Sequence, residues 1–326
     1  MIKLKTEANH KLALIIGVGD GACRALNHIY LGSTFNNIDF LAINTDKHAL
    51  YSLDIPIERQ LLIGANVAKG FGSGSDPDVG RESAIESISA IKKIVSKDYS
   101  IVFILAGMGG GTGSGSSPII ARLCRDIGCV VVTIVSVPGV FEGNIRKPIS
   151  RNGIDLLYKA SNMVLLFSND RIVSPHSNAN SPEVFKFLDL VLKMPVDFII
   201  RMITSKEYPL IDFDDLITVI QGANGLAAVI SGIGEGDNRI EDTLLKLYDS
   251  PYLLDVNIKA VNNILLFIES GSENQIRMSD IGIIIDHLQE KFGKNAVILW
   301  GCGVNANFST EIRLNALLTG ELLERF

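Results

Sequence analysis

A glycine run set between an apolar strand-like segment and a helix-like one leaves a chain few architectures. Here residues 101–106 lead into Gly107, Met108, Gly109, Gly110, Gly111, Thr112, Gly113, Ser114 and Gly115, and residues 118–123 resume a helical pattern. Six glycines in nine residues cost backbone entropy and pack no side chain. Their use is to bring backbone N–H groups close to a ligand, and at a helix N-terminus those donors form an anion site. A mobile surface loop is the plainer account, but such loops seldom join a buried strand to a helix.

The same alternation runs through the first part of the chain. Strand-like segments at 12–16, 40–43, 130–137 and 164–167 are interleaved with helix-like segments at 23–31 and 79–95. This predicts an α/β fold, a Rossmann-like parallel sheet with both faces covered. In such sheets ligands bind beyond the carboxyl ends of the strands. The loops at 17–22, 44–46, 70–77 and 107–115 are placed there, and one pocket is expected to gather them. Residues 182–204 form a long apolar stretch of helical period with Pro195 inside, expected to kink or interrupt it. Beyond it, strand-like segments at 261–269, 296–301 and 311–318 and a helix-like segment at 281–292 predict a smaller α+β unit without a phosphate loop. The expected division is a nucleotide-binding domain at 1–181, a central helix at 182–205 and a C-terminal domain at 206–326.

Composition narrows the function. With 326 residues, 47% of them hydrophobic and 20% charged, the chain can bury cores for two domains. A net charge of −6 disfavours nucleic acid or an anionic membrane as the main partner. Cys23, Cys124, Cys129 and Cys302 have no zinc-ligand spacing, and the five histidines are scattered, so no metal is assigned to protein ligands. No signal peptide precedes them and no apolar run spans a bilayer, so reduced thiols in a cytoplasm are expected.

Gly17-Val18-Gly19-Asp20-Gly21-Ala22 alone fits a dinucleotide fingerprint, with Asp46 as a rather late ribose acid. That reading, an NAD-dependent dehydrogenase, leaves the loop at 107–115 unused. No glycine loop ends in Gly-Lys-Ser or Gly-Lys-Thr, so a nucleoside triphosphate here needs many backbone donors and a metal ion.

At this point the residues resemble a known family. Gly109-Gly110-Gly111-Thr112-Gly113-Ser114-Gly115 matches the signature of the tubulin/FtsZ superfamily, with Ser114 the tubulin-like choice. Asn44-Thr45-Asp46 resembles the family's second nucleotide loop. The stretch 72–81, with Gly72, Gly74 and Asp76, resembles the third. Phe141-Glu142-Gly143 with Arg146 resembles the ribose- and phosphate-side segment, and Asn169-Asp170 the pair after the next strand. Asp212-Phe213-Asp214-Asp215 resembles the catalytic loop. The likeness spans about 12–318 and favours FtsZ, since tubulins are longer.

The resemblance implies GTP or GDP with Mg²⁺ on the first domain and subunits stacked head to tail. Asp212 and Asp215 of one subunit would orient the water that attacks the γ-phosphate held by its neighbour. Such acids at a helix start also simply favour the helix dipole. The implied nucleotide-binding residues are Gly17, Gly19, Asp20, Gly21, Ala22, Cys23, Arg24, Asn44, Asp46, Gly72, Gly74, Gly107, Met108, Gly109, Gly110, Gly111, Thr112, Gly113, Glu142, Arg146, Asn169, Phe185 and Asp189.

Four departures stand out. Asp20, Ala22 and Cys23 replace glycines of the first loop, and Arg24 replaces an Asn near the nucleoside. Arg24 is read either as a phosphate partner that offsets Asp20 or as a solvated helix residue. Phe185 matches the Phe that stacks on guanine, but the usual base-reading Asp falls on Leu190, so Asp189 becomes the candidate. Leu210 replaces an Asn of the catalytic loop, which implies slow turnover and long-lived filaments. Finally, no linker or adaptor-binding peptide follows, and residues 319–326 offer at most one amphipathic turn. The expected partner is the chain itself, with co-assembly onto another FtsZ, or a nucleotide-binding relative that does not polymerise, as the rival. Cell division and membrane remodelling are both open as roles.

Overall fold

The computed structural model describes residues 11–33, 37–95, 99–176, 178, 180–206, 209–221, 225–250, 261–272 and 275–320. Two compact units divide at Met194 and Pro195. In the first, strands β1 (Lys11–Val18), β2 (Ile38–Asn44), β3 (Gln60–Leu62), β4 (Tyr99–Gly107), β5 (Val130–Val137) and β6 (Met163–Ser168) lie in the order β3-β2-β1-β4-β5-β6. Every pairing among them is parallel. Helices α1 (Asp20–Gly32), α2 (Lys47–Tyr51), α3 (Pro77–Glu86), α4 (Ile88–Val95), α5 (Gly111–Ile127), α6 (Arg146–Ala160) and α7 (Asn169–Val173) alternate with them. The central strands are apolar almost throughout because both faces are covered, and Phe103 and Phe167 are among the largest wholly buried side chains.

The expected helix at 79–95 is two helices. Its periodicity is unbroken, but Ser87 ends α3, and the Ser87 hydroxyl accepts the Gly64 N–H at 3.1 Å. A contact made 23 residues away thus overrides the local pattern. Helix α1 begins at Asp20, earlier than its first apolar residues suggest, directly after Gly19 at φ 81°.

Helix α8 (Ser181–Thr204) runs through Pro195 without interruption, so no break forms there. Proline removes the N–H that would reach the carbonyl four residues back and crowds that carbonyl with its ring, and the helix continues past both. The unit boundary falls at this proline.

The second unit holds α9 (Phe213–Gln221), β7 (Gly225–Gly234), α10 (Arg239–Tyr248), β8 (Val261–Ser270), α11 (Met278–Phe292), β9 (Val297–Val304) and β10 (Ile312–Gly320). Its strands lie in the order β7-β10-β8-β9, with β10 antiparallel to both neighbours and β8 parallel to β9. The strands expected at 261–269, 296–301 and 311–318 and the helix at 281–292 are present. Strand β7, rich in glycine and alanine, carries too little apolar contrast to be read from sequence, and helix α10 was not singled out although it is amphipathic, with Leu244 and Leu247 buried. Of the stretch 319–326, residues 321–326 lie outside the described residues.

Candidate nucleotide site

The carboxyl ends of β1, β2, β4, β5 and β6 open into a cavity of about 480 Å³. Its wall includes Gly19, Asp20, Gly21 and Arg24 from the first loop and α1, and Asn44, Thr45 and Asp46 from the second loop. Phe71, Gly72, Ser73, Gly74 and Ser75 come from the third loop, and Gly107, Met108, Gly110, Gly111, Thr112 and Gly113 from the fourth. Ser136, Glu142, Arg146, Asn169, Phe185, Leu188, Asp189 and Leu192 close it. All belong to the first unit.

Hydroxyls stitch the loops together. Thr112 Oγ1 lies 2.6 Å from Thr45 Oγ1 and 3.1 Å from Ser73 Oγ, which joins the second, third and fourth loops. Ser114 takes no place in the wall; its Oγ accepts the Gly109 N–H at 2.9 Å and fixes the turn into α5. The N–H groups of the first turn of α5 have no carbonyl of their own helix to bond, so they are aimed as anion donors.

The glycines of this loop divide by purpose. A Cβ on Gly113 would run into the Gly107 carbonyl, and one on Gly115 into the Pro77 carbonyl. Those two serve close backbone packing. A Cβ on Gly110 would meet nothing within 4 Å, so Gly110 faces the open cavity. Gly109, expected in the wall, turns its α-carbon toward Arg146 and Pro138 at φ 91° instead.

Gly17, Ala22 and Cys23, also expected in the wall, lie behind it. Gly17 packs against the Ala22 carbonyl. The Cys23 thiol donates to the carbonyls of Gly17 and Ile43 at 3.4 and 3.5 Å. Burial, aided by the Asp20 charge, pushes this thiol up to about 12, so it stays protonated and unreactive.

Polar side chains in the wall are already oriented. Asn44 Nδ2 donates to Asp20 Oδ1 at 2.7 Å. Asp46 caps α2 through the N–H groups of His48 and Ala49 at 2.8 and 3.1 Å. Glu142 accepts from Asn169 Nδ2 at 2.7 Å, Arg146 Nη1 at 2.8 Å and the Gly139 N–H at 3.0 Å.

Arg24 lines the cavity, half-exposed and paired. Its Nε lies 3.4 Å from Asp189 Oδ2, and its guanidinium carbon sits over the Phe185 ring, 5.7 Å from the centroid. Asp189 is buried, and His28 Nε2 stands 3.8 Å from the same oxygen. Burial raises the Asp189 carboxyl above the usual carboxylate range, outweighing the pull of Arg24 and His28. Leu190 is 40% exposed and absent from the wall. Phe71, Ser73 and Ser75 lie in a loop expected at the pocket but were not named as site residues, and Ser136, Leu188 and Leu192 were not singled out from sequence, since they belong to no motif.

In the second unit, Asp212 and Asp215 form a reciprocal cap at the start of α9. The Asp212 N–H donates to Asp215 Oδ2 at 3.1 Å, and the Asp215 N–H to Asp212 Oδ1 at 2.9 Å. Leu210 beside them is 52% exposed. Among the described residues no group of three or more His, Cys, Asp or Glu could hold a metal ion, and no helix is long and apolar enough to cross a membrane.

A parallel sheet whose loops converge on an anion-binding helix N-terminus defines a nucleotide-binding α/β protein. Comparison with known proteins makes this narrower. Residues 13–175 match the family model described as the Tubulin/FtsZ family GTPase domain, and residues 225–321 the FtsZ family C-terminal domain. The cell division protein FtsZ of Wigglesworthia glossinidia brevipalpis is 31% identical over 307 residues, covering 94% of this chain and 78% of that protein. Cell division protein FtsZ 1 of Archaeoglobus fulgidus is 30% identical, covering 94% and 81%. The solved FtsZ dimer from M. jannaschii superposes with a TM-score of 0.85 at 26% identity, covering 95% of this chain and 88% of that one. The chain belongs to the tubulin/FtsZ family and carries its GTPase domain and the FtsZ C-terminal domain.

Proposed function

We propose that the chain is a GTP-binding, filament-forming FtsZ-type GTPase of the cytoplasm whose hydrolysis is completed across the interface between stacked subunits. The observation that carries this is the convergence of four loops on the first turn of α5, with Gly110 turned to open space. The N–H groups of Gly111, Thr112 and Gly113 would hold the phosphates, Glu142, Arg146 and Asn169 the ribose side, and Phe185 the base. The donor set suits Mg²⁺, which is commonly held by phosphate oxygens and one or two carboxylates; of the four carboxylates in this wall, Asp20, Asp46, Glu142 and Asp189, the first two lie on the first and second loops. When bound, the ion would offset phosphate charge.

Asp212 and Asp215 hold each other in position, and each keeps carboxylate oxygen for a water brought by a neighbouring subunit's nucleotide. Phosphoryl transfer asks mainly for such positioning. Leu210 supplies no hydrogen bond there, which favours slow turnover and persistent filaments. Roles in cell division, as in the FtsZ relatives, or in membrane remodelling use the same machinery.

The test is sedimentation of the purified protein with GTP, GDP or neither, alongside phosphate release at matched polymer mass. GTP-dependent pelleting with slow release is expected. In Leu210→Asn, release per pelleted subunit should rise on the order of 10-fold or more, since one transition-state hydrogen bond commonly carries ~10²-fold. GTP binding without pelleting under any condition would favour the non-polymerising relative instead.

A further inference from the structure

Strand β9 stands last in its sheet, with β8 on one edge and, among the described residues, no strand on the other. An open strand edge leaves N–H and C=O groups to be satisfied. Cys302 spends both of its own on the segment that leads into α9. Its N–H donates to the Pro209 carbonyl at 3.2 Å, and its carbonyl accepts from the Ser205 hydroxyl at 3.2 Å. Gly301 beside it has no side chain to hold that segment off. A Cβ there would stand 2.9 Å from Ile211 Cγ1 and 3.0 Å from the Pro209 carbonyl oxygen. Ile211 is buried on this seat, and Leu210, between two anchored neighbours, is left exposed. Asp212 follows directly and caps α9 together with Asp215.

We infer that the outer edge of β9 is the seat that sets the reach of the loop carrying Asp212 and Asp215, with Gly301 and Ser205 as positioning residues for hydrolysis. This rests on the proposal that those two acids serve a nucleotide held by the neighbouring subunit. The mutual cap settles the acids relative to each other and to α9, but not the segment before them. That segment is tied at Ser205 and again at Pro209, both times to the backbone of Cys302. Gly301 then lets Pro209 and Ile211 lie close against the strand, which fixes where Leu210 and Asp212 begin. Chemistry shared between two subunits makes this demand strict. One chain places the carboxylates and another places the phosphate, and a misplacement of about 1 Å can cost on the order of 10²-fold in rate. An alanine Cβ at Gly301 must push Ile211 or Pro209 away from β9, and the acids with them.

The experiment measures GDP affinity, pelleted mass with GTP, and phosphate release per pelleted subunit. It compares the full chain with Gly301→Ala, Ser205→Ala, Ser205→Thr and Gly303→Ala. Gly303 lies on the same strand, where a Cβ would meet the Phe267 ring and not the loop, so its variant strains β9 without moving the seat. GDP affinity should stay within about 2-fold throughout, because the whole cavity wall lies in the first unit, far from these changes. Gly301→Ala should lower release per pelleted subunit by about 10-fold, the scale of a sub-ångström misplacement. Ser205→Ala should lower it by about 3-fold, the worth of one ordinary hydrogen bond, and Ser205→Thr, which keeps the hydroxyl, should restore it. Gly303→Ala should leave it at the parent value. Unchanged release per pelleted subunit in Gly301→Ala and Ser205→Ala would overturn the inference. So would an equal fall in Gly303→Ala, since the loss then comes from a weakened strand. If Gly301→Ala does not fold, the Ser205 pair decides alone. These outcomes leave the parent's hydrolysis standing, whereas a wild-type chain that releases no phosphate removes the proposed hydrolysis and this inference together.

Discussion

At the scale of single residues, the glycine loop separates two demands that look identical in sequence. Gly115 is needed because α5 passes against the backbone of α3, where a Cβ would strike the Pro77 carbonyl. Gly110 has an extended backbone, φ −94° and ψ 166°, that any residue adopts, and open space beyond it. Gly115→Ala should therefore destabilise the fold by ~1–3 kcal/mol, the usual cost of overpacking. Gly110→Ala should melt within about 0.5 kcal/mol of the parent, as other unstrained exposed changes do, yet lose most of its nucleotide affinity. Urea unfolding and GDP titration of the two variants check this, and equal losses of affinity without loss of stability would contradict it. The signature Gly109–Gly115 was legible, but which glycine answers to ligand and which to packing was not, since that depends on Pro77 and Gly107 arriving from elsewhere. Arg24 was equally hidden. Its partner Asp189 lies 165 residues along the chain, and no local pattern announces such a pair.

At the scale of elements, strands were read well wherever a short apolar run was bounded by glycine or polar turns, as in β4 and β5. Helix ends depended on side-chain hydrogen bonds that sequence only hints at: Asp76 caps α3 through the Asp78 N–H at 2.8 Å, and Ser87 stops it. One device was missed altogether. At the end of the sheet away from the cavity, Asp39 on β2 gathers Lys11 Nζ at 2.6 Å, Tyr99 Oη at 2.7 Å and Arg59 Nη2 at 3.0 Å. This ties β1, β2 and β4 together at their starts. Burial pushes the Asp39 carboxyl upward, but the Lys11 and Tyr99 hydrogen bonds and the Arg59 charge outweigh it and leave it below its ordinary 3.8. A carboxylate lowered in the fold contributes stability above its unfolded pKa, and that stability is lost as pH falls through the lowered value. Asp39→Asn is expected to cost ~1–3 kcal/mol at pH 7. The gap to the parent should shrink as denaturation is repeated below about pH 4, where an unfolded Asp begins to bind its proton. A gap that stays constant with pH would mean the ion cluster is not its source.

At the scale of the whole molecule, the α/β class and the presence of a smaller second unit followed from the alternation of elements and its loss after residue 204. Strand β7 could not be read, because Gly225–Gly234 is built largely of small residues whose burial is imposed by their neighbours in the sheet. The position of the unit boundary, inside α8 at Pro195, is a property of contacts and not of the uninterrupted helical period. That boundary has a thermal consequence. The last residue of the cavity wall is Leu192, so any free energy of ligand binding enters through the first unit alone. Saturation at 100 times Kd adds about 2.7 kcal/mol to whatever unfolds with the bound form. Hydrogen exchange followed during a heating series should show GDP delaying the opening of β1, β4 and α5 while α11 and β10 exchange on their former schedule. A single unfolding front, shifted throughout by GDP, would reveal the two units as one cooperative body. Two fronts would make the nucleotide a thermostat for half the chain, leaving the half that carries Asp212 and Asp215 free to loosen with the ligand still in place.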